Sequence, residues 1–206
     1  MISGPNIRFR LITNDEDEFL FQCLKQWPAD AQGPYTRERA KADIGHAMRE
    51  HRHIEYPLQD ERWTDEHCGI HGHRSDWFAT VVIELRGEPI GAAKCRILGR
   101  SVWVSWLSLL PEHIGQGLWR EIRLAWSWLT FEILQGDQLG FATPVDNDPT
   151  MAVMTMYHGE RSEYWKGPLD NDTEKAKWWH SRADYERDKR DAFKDRQGNT
   201  ITFTTA

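Results

Sequence analysis

The sequence predicts a mixed α/β domain in which a run of strands leads into an amphipathic helix and further strands follow. Three observations carry that expectation. Val102 to Pro111 is a run of β-branched, aromatic and aliphatic residues with only serines between them, too short for a helix and stopped by proline, so it reads as a buried strand. Next, Leu118, Ile122, Ala125, Leu129 and Ile133 recur at three- and four-residue spacing and put one apolar stripe on a common helix face, closed by Gly136. Finally, Trp77 to Leu85, the turn Arg86-Gly87-Glu88-Pro89, Ile90 to Ile97 and the turn Leu98-Gly99-Arg100-Ser101 form a hairpin that feeds the buried strand.

The remaining elements follow in chain order. Asn6 to Ile12 alternates Ile7, Phe9 and Leu11 with Arg8 and Arg10, the pattern of a half-buried strand. Thr13-Asn14-Asp15-Glu16 has the form of a capping box, and its acidic residues suit the positive end of a helix running to Trp27-Pro28. A polar helix is expected from Thr36 to His51, then an irregular stretch from His53 to Ser75. Beyond the central helix, Leu139 to Val145 reads as a strand, and Asp146-Asn147-Asp148-Pro149 as a turn with Asp148 the N-cap of a helix over Met151 to Tyr157. Arg161 to Lys166 returns to the sheet. Asp172 to Arg196, densely charged with Trp178, Trp179, Tyr185 and Phe193 embedded, reads as one long C-terminal helix, and Thr200 to Thr205 as a closing strand.

Between the central strand and its helix lies Gly115-Gln116-Gly117. Two residues without a β-carbon let a ligand approach the backbone, and several N–H groups face one way at the positive end of a helix, which makes a site for a phosphate.

The run Leu107-Ser108-Leu109-Leu110-Pro111-Glu112-His113-Ile114-Gly115-Gln116-Gly117-Leu118-Trp119, preceded by the hairpin, resembles the GNAT superfamily of acyl-CoA-dependent N-acyltransferases. In that family such a strand ends Leu-x-Val-x-Pro-Glu and is followed by Arg-Gly-x-Gly-x-Gly/Ala and the helix. Two positions depart: Ile114 stands for the family's Arg or Gln, and Trp119 for its last Gly or Ala. An alternative register places Glu112 at the Arg/Gln position.

The resemblance implies a mostly antiparallel mixed sheet with helices on both faces, here with an extra C-terminal helix. It divides the chain into 1–76 (N-terminal strand, helices and acceptor-side loop), 77–166 (cofactor-binding core) and 167–206 (C-terminal helix and closing strand). It implies acetyl-CoA, or another acyl-CoA, as co-substrate and a primary amine, small or on a protein, as acceptor. By position the cofactor contacts are Leu109, Leu110, Ile114, Gly115, Gln116, Gly117, Leu118 and, from a looser match to Asn-x-x-Ala-x-x-x-Tyr, Asn147; Tyr157 matches the family's acid. Transfer from a thioester needs a neutral amine, a polarised carbonyl and a proton for the departing thiolate. For the base, Glu84, Ser105, Ser108 and Asp146 are all candidates, and Glu84 near the end of the first hairpin strand is the one taken forward. In the family the region before the hairpin borders the acceptor, which makes Tyr56, Trp63 and the histidines near 70 further candidates.

Composition bounds the rest. The 206 residues suit one domain, and a mean hydropathy of −0.70 with no apolar run of spanning length argues against a membrane protein. The first residues lack the pattern of a secretory signal, and three cysteines at wide spacing fit reduced thiols, so a cytoplasmic location is expected. A net charge of −6 gives no general reason to bind nucleic acid or anionic membrane. Glu66-His67-Cys68 and His71-Gly72-His73 bear metal-ligating groups, but at no standard zinc spacing, and no metal is assigned. Phosphate-loop, HExxH, GxSxG and Rossmann signatures are absent. The rival to an enzyme is a non-catalytic domain of the same fold, whose eleven tryptophans dock a protein partner or a second copy. That rival predicts a glycine turn filled by Trp119.

Overall fold

The computed structural model describes residues 2–3, 6–26, 33–54, 76–98, 100–158, 163–166, 174–191 and 202–205. Its strands are β1 (Ile2–Ser3), β2 (Ile7–Leu11), β3 (Asp76–Leu85), β4 (Glu88–Leu98), β5 (Ser101–Leu109), β6 (Gln138–Pro144), β7 (Glu163–Lys166), β8 (Glu174–Ser181) and β9 (Thr204–Thr205). The helices are α1 (Asp17–Leu24), α2 (Arg37–Ile54), α3 (Trp119–Trp128), α4 (Asp148–His158) and α5 (Arg182–Asp191). The strands form one sheet in the order β7-β8-β6-β5-β4-β3-β2-β1-β9. Every pairing is antiparallel except β5 with β6, so the fold is the mostly antiparallel α/β architecture expected.

Strand alternation explains the two cores. Phe9, Val81, Ile83, Val104, Leu139, Phe141 and Trp178 face the side that α3 covers, and Trp126 of α3 is fully buried there with its ring 5.0 Å from Phe9. On the opposite face Val82 and Ala92 meet Leu20, Cys23 and Leu24 of α1 and Ala40, Ile44 and Ala47 of α2. The β3–β4 turn is as short as a hairpin allows: Arg86 and Gly87 both take positive φ (54° and 91°), the twist that joins antiparallel strands through two residues.

Four local expectations are corrected. The long helix over Asp172 to Arg196 is strand β8 followed by α5, because Ala176, Trp178 and His180 alternate into the buried face at a period of two. The break is a capping box: Asp184 accepts from the Ser181 hydroxyl (2.6 Å) and N–H (3.0 Å), while the Asp184 N–H donates to Ser181 Oγ at 3.2 Å. At the first helix, Glu16 reaches back to the Thr13 N–H at 2.8 Å, yet α1 begins only at Asp17 with Glu16 as an N-cap that makes no side-chain capping bond. Before α4 the cap is Asn147 rather than Asp148, since Asn147 Oδ1 accepts from the Thr150 N–H at 3.3 Å and Asp148 is already helical. The central helix passes into one π turn over Leu129–Ile133, and the left-handed residue that ends it is Gln135 (φ 50°), not Gly136.

Candidate functional site

The site is built where two strands part. β5 and β6 share only four parallel pairs, from Ser101↔Gln138 to Val104↔Phe141, although β5 continues to Leu109 and β6 to Pro144. The register of β5 against β4 slips at the same point, with Lys94 opposite Trp106 and Cys95 opposite Val104, so Ser105 is the extra residue of a β-bulge. A bulge bends and twists its strand, which turns the second half of β5 away from β6.

Backbone groups in the second half of β5 therefore face a gap. The Leu110 N–H donates to the Ile90 carbonyl at 2.8 Å, and alternation along an antiparallel pair then turns the N–H and C=O groups of Leu109 and Leu107 away from β4. Gln26, just beyond α1, donates its Nε2 to the Leu109 carbonyl at 3.2 Å. The Ser108 hydroxyl, buried, donates to the Cys23 carbonyl at 2.6 Å and so ties this strand to α1 instead of serving as a base. Burial, with the Glu112 charge adding to it, pushes the Cys23 thiol up to about 12, which makes it an inert core group.

After Leu110 the chain makes one 3-10 turn over Pro111–His113 and reaches the glycines. Gly115 (φ 79°) and Gly117 (φ 71°) are left-handed, a conformation that favours glycine. Around Gly115 an added Cβ would meet no atom within 4 Å, so the turn is an open cradle. Gln116 Nε2 donates to the Glu112 carbonyl at 2.7 Å and closes the turn on itself. α3 starts at Trp119 with Leu118 as an N-cap that supplies no side-chain bond, so the N–H groups of the first turn point at the cradle without a side chain to cap them. Glu121 in that turn would oppose an anion there, but its carboxylate accepts from the Asn6 and Ile7 N–H groups at 3.1 Å each.

Both departures from the family pattern have a place. Ile114 is 58% exposed and lies clear of the core. Trp119 does not fill the turn: its ring stands edge-on to Phe141, centroids 5.6 Å apart, against the last residue of β6 that still pairs with β5. The rival reading's prediction of a turn filled by Trp119 fails on this geometry.

The other sequence candidates are dispersed. Asn147 and Asp146 are exposed in the turn after β6, the strand on the far side of the gap. Tyr157 lies on α4, which follows that turn; its side chain is outside what is described, as is that of Ser105. Glu84 is buried on β3, two strands from β5, and accepts from Arg10 Nε at 2.5 Å, with Arg8 Nε at 3.7 Å. Arg10 also forks onto Glu16, with bonds of 2.8 and 2.6 Å. Burial works against the charge of Glu16, but the bonds from Arg10 and Thr13 outweigh it and hold the carboxyl below its ordinary value. This buried network fixes β2, β3 and the start of α1 together. Tyr56, Trp63 and the His-rich segment around His67 to His73 lie outside the described residues. Among the described residues no group of three metal-ligating side chains occurs, and no helix is long and apolar enough to cross a membrane.

What the sequence reading missed is the bulge at Ser105. The only trace of it is that Val102, Val104, Leu107 and Leu109, which share one face, change parity between Val104 and Leu107.

No family model and no curated protein matches the sequence. Among solved structures, this chain is similar to a GNAT-family acetyltransferase from Bacillus anthracis, with a TM-score of 0.62 and 13% identity over 87% of this chain and 97% of that one. It is similar to a mutant spermidine N-acetyltransferase from Vibrio cholerae (TM-score 0.60, 13% identity, 87% and 96% covered). A probable acetyltransferase gives a TM-score of 0.61 at 13% identity, with 87% and 94% covered. At this identity the likeness is one of fold.

Proposed function

We propose that this chain, which has the GNAT fold, is an acyl-CoA-dependent N-acyltransferase, most simply one that moves an acetyl group from acetyl-CoA to a primary amine. The single observation that carries this reading is the parting of β5 from β6 beside the open glycine turn. Backbone groups of Leu107 and Leu109 face the gap, and the Gly115–Gly117 turn meets the start of α3 at one end of it.

The residues fit the co-substrate as follows. N–H groups of Gly115, Gln116, Gly117 and Leu118 would hold the pyrophosphate at the positive helix end, and the cradle leaves room for it; Ile114, whose N–H is given to the Pro111 carbonyl at 3.2 Å, would only border the site. Leu109, with Leu107, would hold the pantetheine arm as an extra strand, Leu110, whose N–H is given to Ile90, would only border it, and Asn147 would border it from the β6 side. Acetyl-CoA would supply an activated thioester, and the chain's own work is positioning, polarisation and proton movement. Backbone N–H groups on the splayed half of β5 polarise the carbonyl. Tyr157, by its position on the helix after β6, donates a proton to the departing sulfur. Glu84, its carboxylate committed to Arg10, is not assigned the base's part. Cys23 and Cys95, buried free thiols among the described residues, suit the cytoplasmic enzyme proposed.

The test is turnover of acetyl-CoA with a panel of amines, read by mass spectrometry of the product and compared with Tyr157→Phe. The expected outcome is acetylation by the wild type and a loss of kcat of about 100-fold in the variant, with acetyl-CoA affinity retained. An unchanged kcat would remove Tyr157 from the mechanism.

A further inference from the structure

The indole of Trp119 stands at a place that acyl transfer as described leaves unused. Trp119 is the first residue of α3 and follows the Gly115–Gly117 turn with only Leu118 between. Its ring meets Phe141 edge-on, centroids 5.6 Å apart at 69°, and Val104↔Phe141 is the last pair that β5 and β6 make. The indole therefore lies at the apex of the gap, on the face that α3 covers. The residue is half-buried, and its Nε1–H, itself buried, makes no hydrogen bond. Packing alone holds the ring there.

On the same face the walls beyond the apex are largely apolar. Leu107 and Leu109 of β5 are partly buried against the α3 core. Across the gap, the alternation that turns Leu139 and Phe141 to α3 brings the buried Thr143 to that face, opposite the core residue Ala176 of β8. A ligand bound along the edge of β5, with its pyrophosphate at the glycine turn, runs from Leu109 back toward the bulge at Ser105, about 13 Å at the rise of a strand. Its thioester and acyl group then come to the apex, where Trp119 and Phe141 stand on the α3 side.

We infer that Trp119 sets the length of the acyl group: its indole closes the α3 side of the gap at the apex and restricts the co-substrate to short acyl-CoA, acetyl-CoA above all. The inference rests on the acyl-transfer reading. A longer acyl chain would have to displace a ring packed on Phe141 or turn out of the gap toward solvent, and in either case its extra methylenes gain no apolar contact. A glycine or alanine, the family's residue at this position, would leave that space open. Because no hydrogen bond ties the indole, a smaller residue there makes room without stranding a polar partner. Each methylene that then finds an apolar wall strengthens binding about fourfold.

The test is calorimetric titration of the whole chain with acetyl-CoA and with hexanoyl-CoA, in the absence of an acceptor amine, for the wild type and for Trp119→Ala. In the wild type hexanoyl-CoA is expected to bind no tighter than acetyl-CoA. In Trp119→Ala it is expected to bind at least tenfold tighter than acetyl-CoA, because its added methylenes enter the vacated space. Lost packing alone would lower the melting temperature and weaken both ligands together, leaving their ratio where it was, so the ratio is the readout. Trp119→Leu, which keeps an apolar contact with Phe141, carries the test if Trp119→Ala does not fold, with a ratio moved at least threefold in the same direction. Hexanoyl-CoA preferred by the wild type, or a ratio that moves less than tenfold in Trp119→Ala or less than threefold in Trp119→Leu, would overturn the inference. Acetyl-CoA binding with an unmoved ratio sinks only the part given to Trp119, whereas no binding of acetyl-CoA to the wild type sinks the acyl-transfer reading beneath it.

Discussion

The two edges of β5 make opposite use of one strand. Toward β4 it is paired on both sides of the Ser105 bulge, from Leu98↔Ser101 to Gly91↔Leu109, and the side chains of that ladder fill both cores. Toward β6 it pairs over Ser101 to Val104 and then leaves, and its remaining backbone groups face a gap. The first edge spends its hydrogen bonds on stability and the second keeps some for a ligand. Substitutions on the two sides should therefore fail in different assays.

The largest effect is expected in the packed half. Trp126→Ala removes a fully buried indole set against Phe9 and should cost about 3–5 kcal/mol, read as a fall in the urea midpoint. A loss below about 1 kcal/mol would mean that α3 is not fastened to β2 as described.

At the open edge the expected loss is in binding first. Gly117→Val forces a β-branched residue into a left-handed conformation and crowds the turn, at about 1–2 kcal/mol of stability. Affinity for acetyl-CoA should fall at least tenfold, out of proportion to that change. If Gly117→Val bound acetyl-CoA like the wild type, the cradle would be only a turn.

The smallest effect sharpens the comparison from the far side of the gap. Burial opposes the charge of Asp184, yet bonds from the Ser181 hydroxyl and N–H and from Arg187 outweigh it and bring the carboxyl from 3.8 down to about 2. A folded-state value below the unfolded one means a stabilisation that is complete above about pH 4 and is lost as the pH falls through about 2. Ser181→Ala should cost about 1 kcal/mol at neutral pH. Asp184→Asn should flatten the fall of melting temperature between pH 4 and 2, and both variants should keep acetyl-CoA affinity.

How much of this was legible in the sequence differs between the same regions. The antiparallel ladder could be read closely, because alternation of Ile7, Phe9 and Leu11 and the two-residue turn at Arg86-Gly87 are local signals. The glycine turn was legible as a motif, and positive φ at both glycines gives its physical reason. β8 and α5 were merged into one helix because the charges of the region mask a period-two pattern, although Ser181-x-x-Asp184 marked the boundary. The commitment of Glu84 to Arg10 is a contact across two strands, 74 residues apart in sequence, and nothing local announces it.

The measurement that bears most directly on the account is calorimetric titration of the whole chain with acetyl-CoA and with desulfo-CoA, which lacks the thioester. Micromolar binding of both is predicted, because pyrophosphate and pantetheine, not the acetyl group, are what the open turn and the unpaired edge of β5 hold. No heat and no thermal shift with either would contradict it and would return the chain to a binding protein that shares the fold.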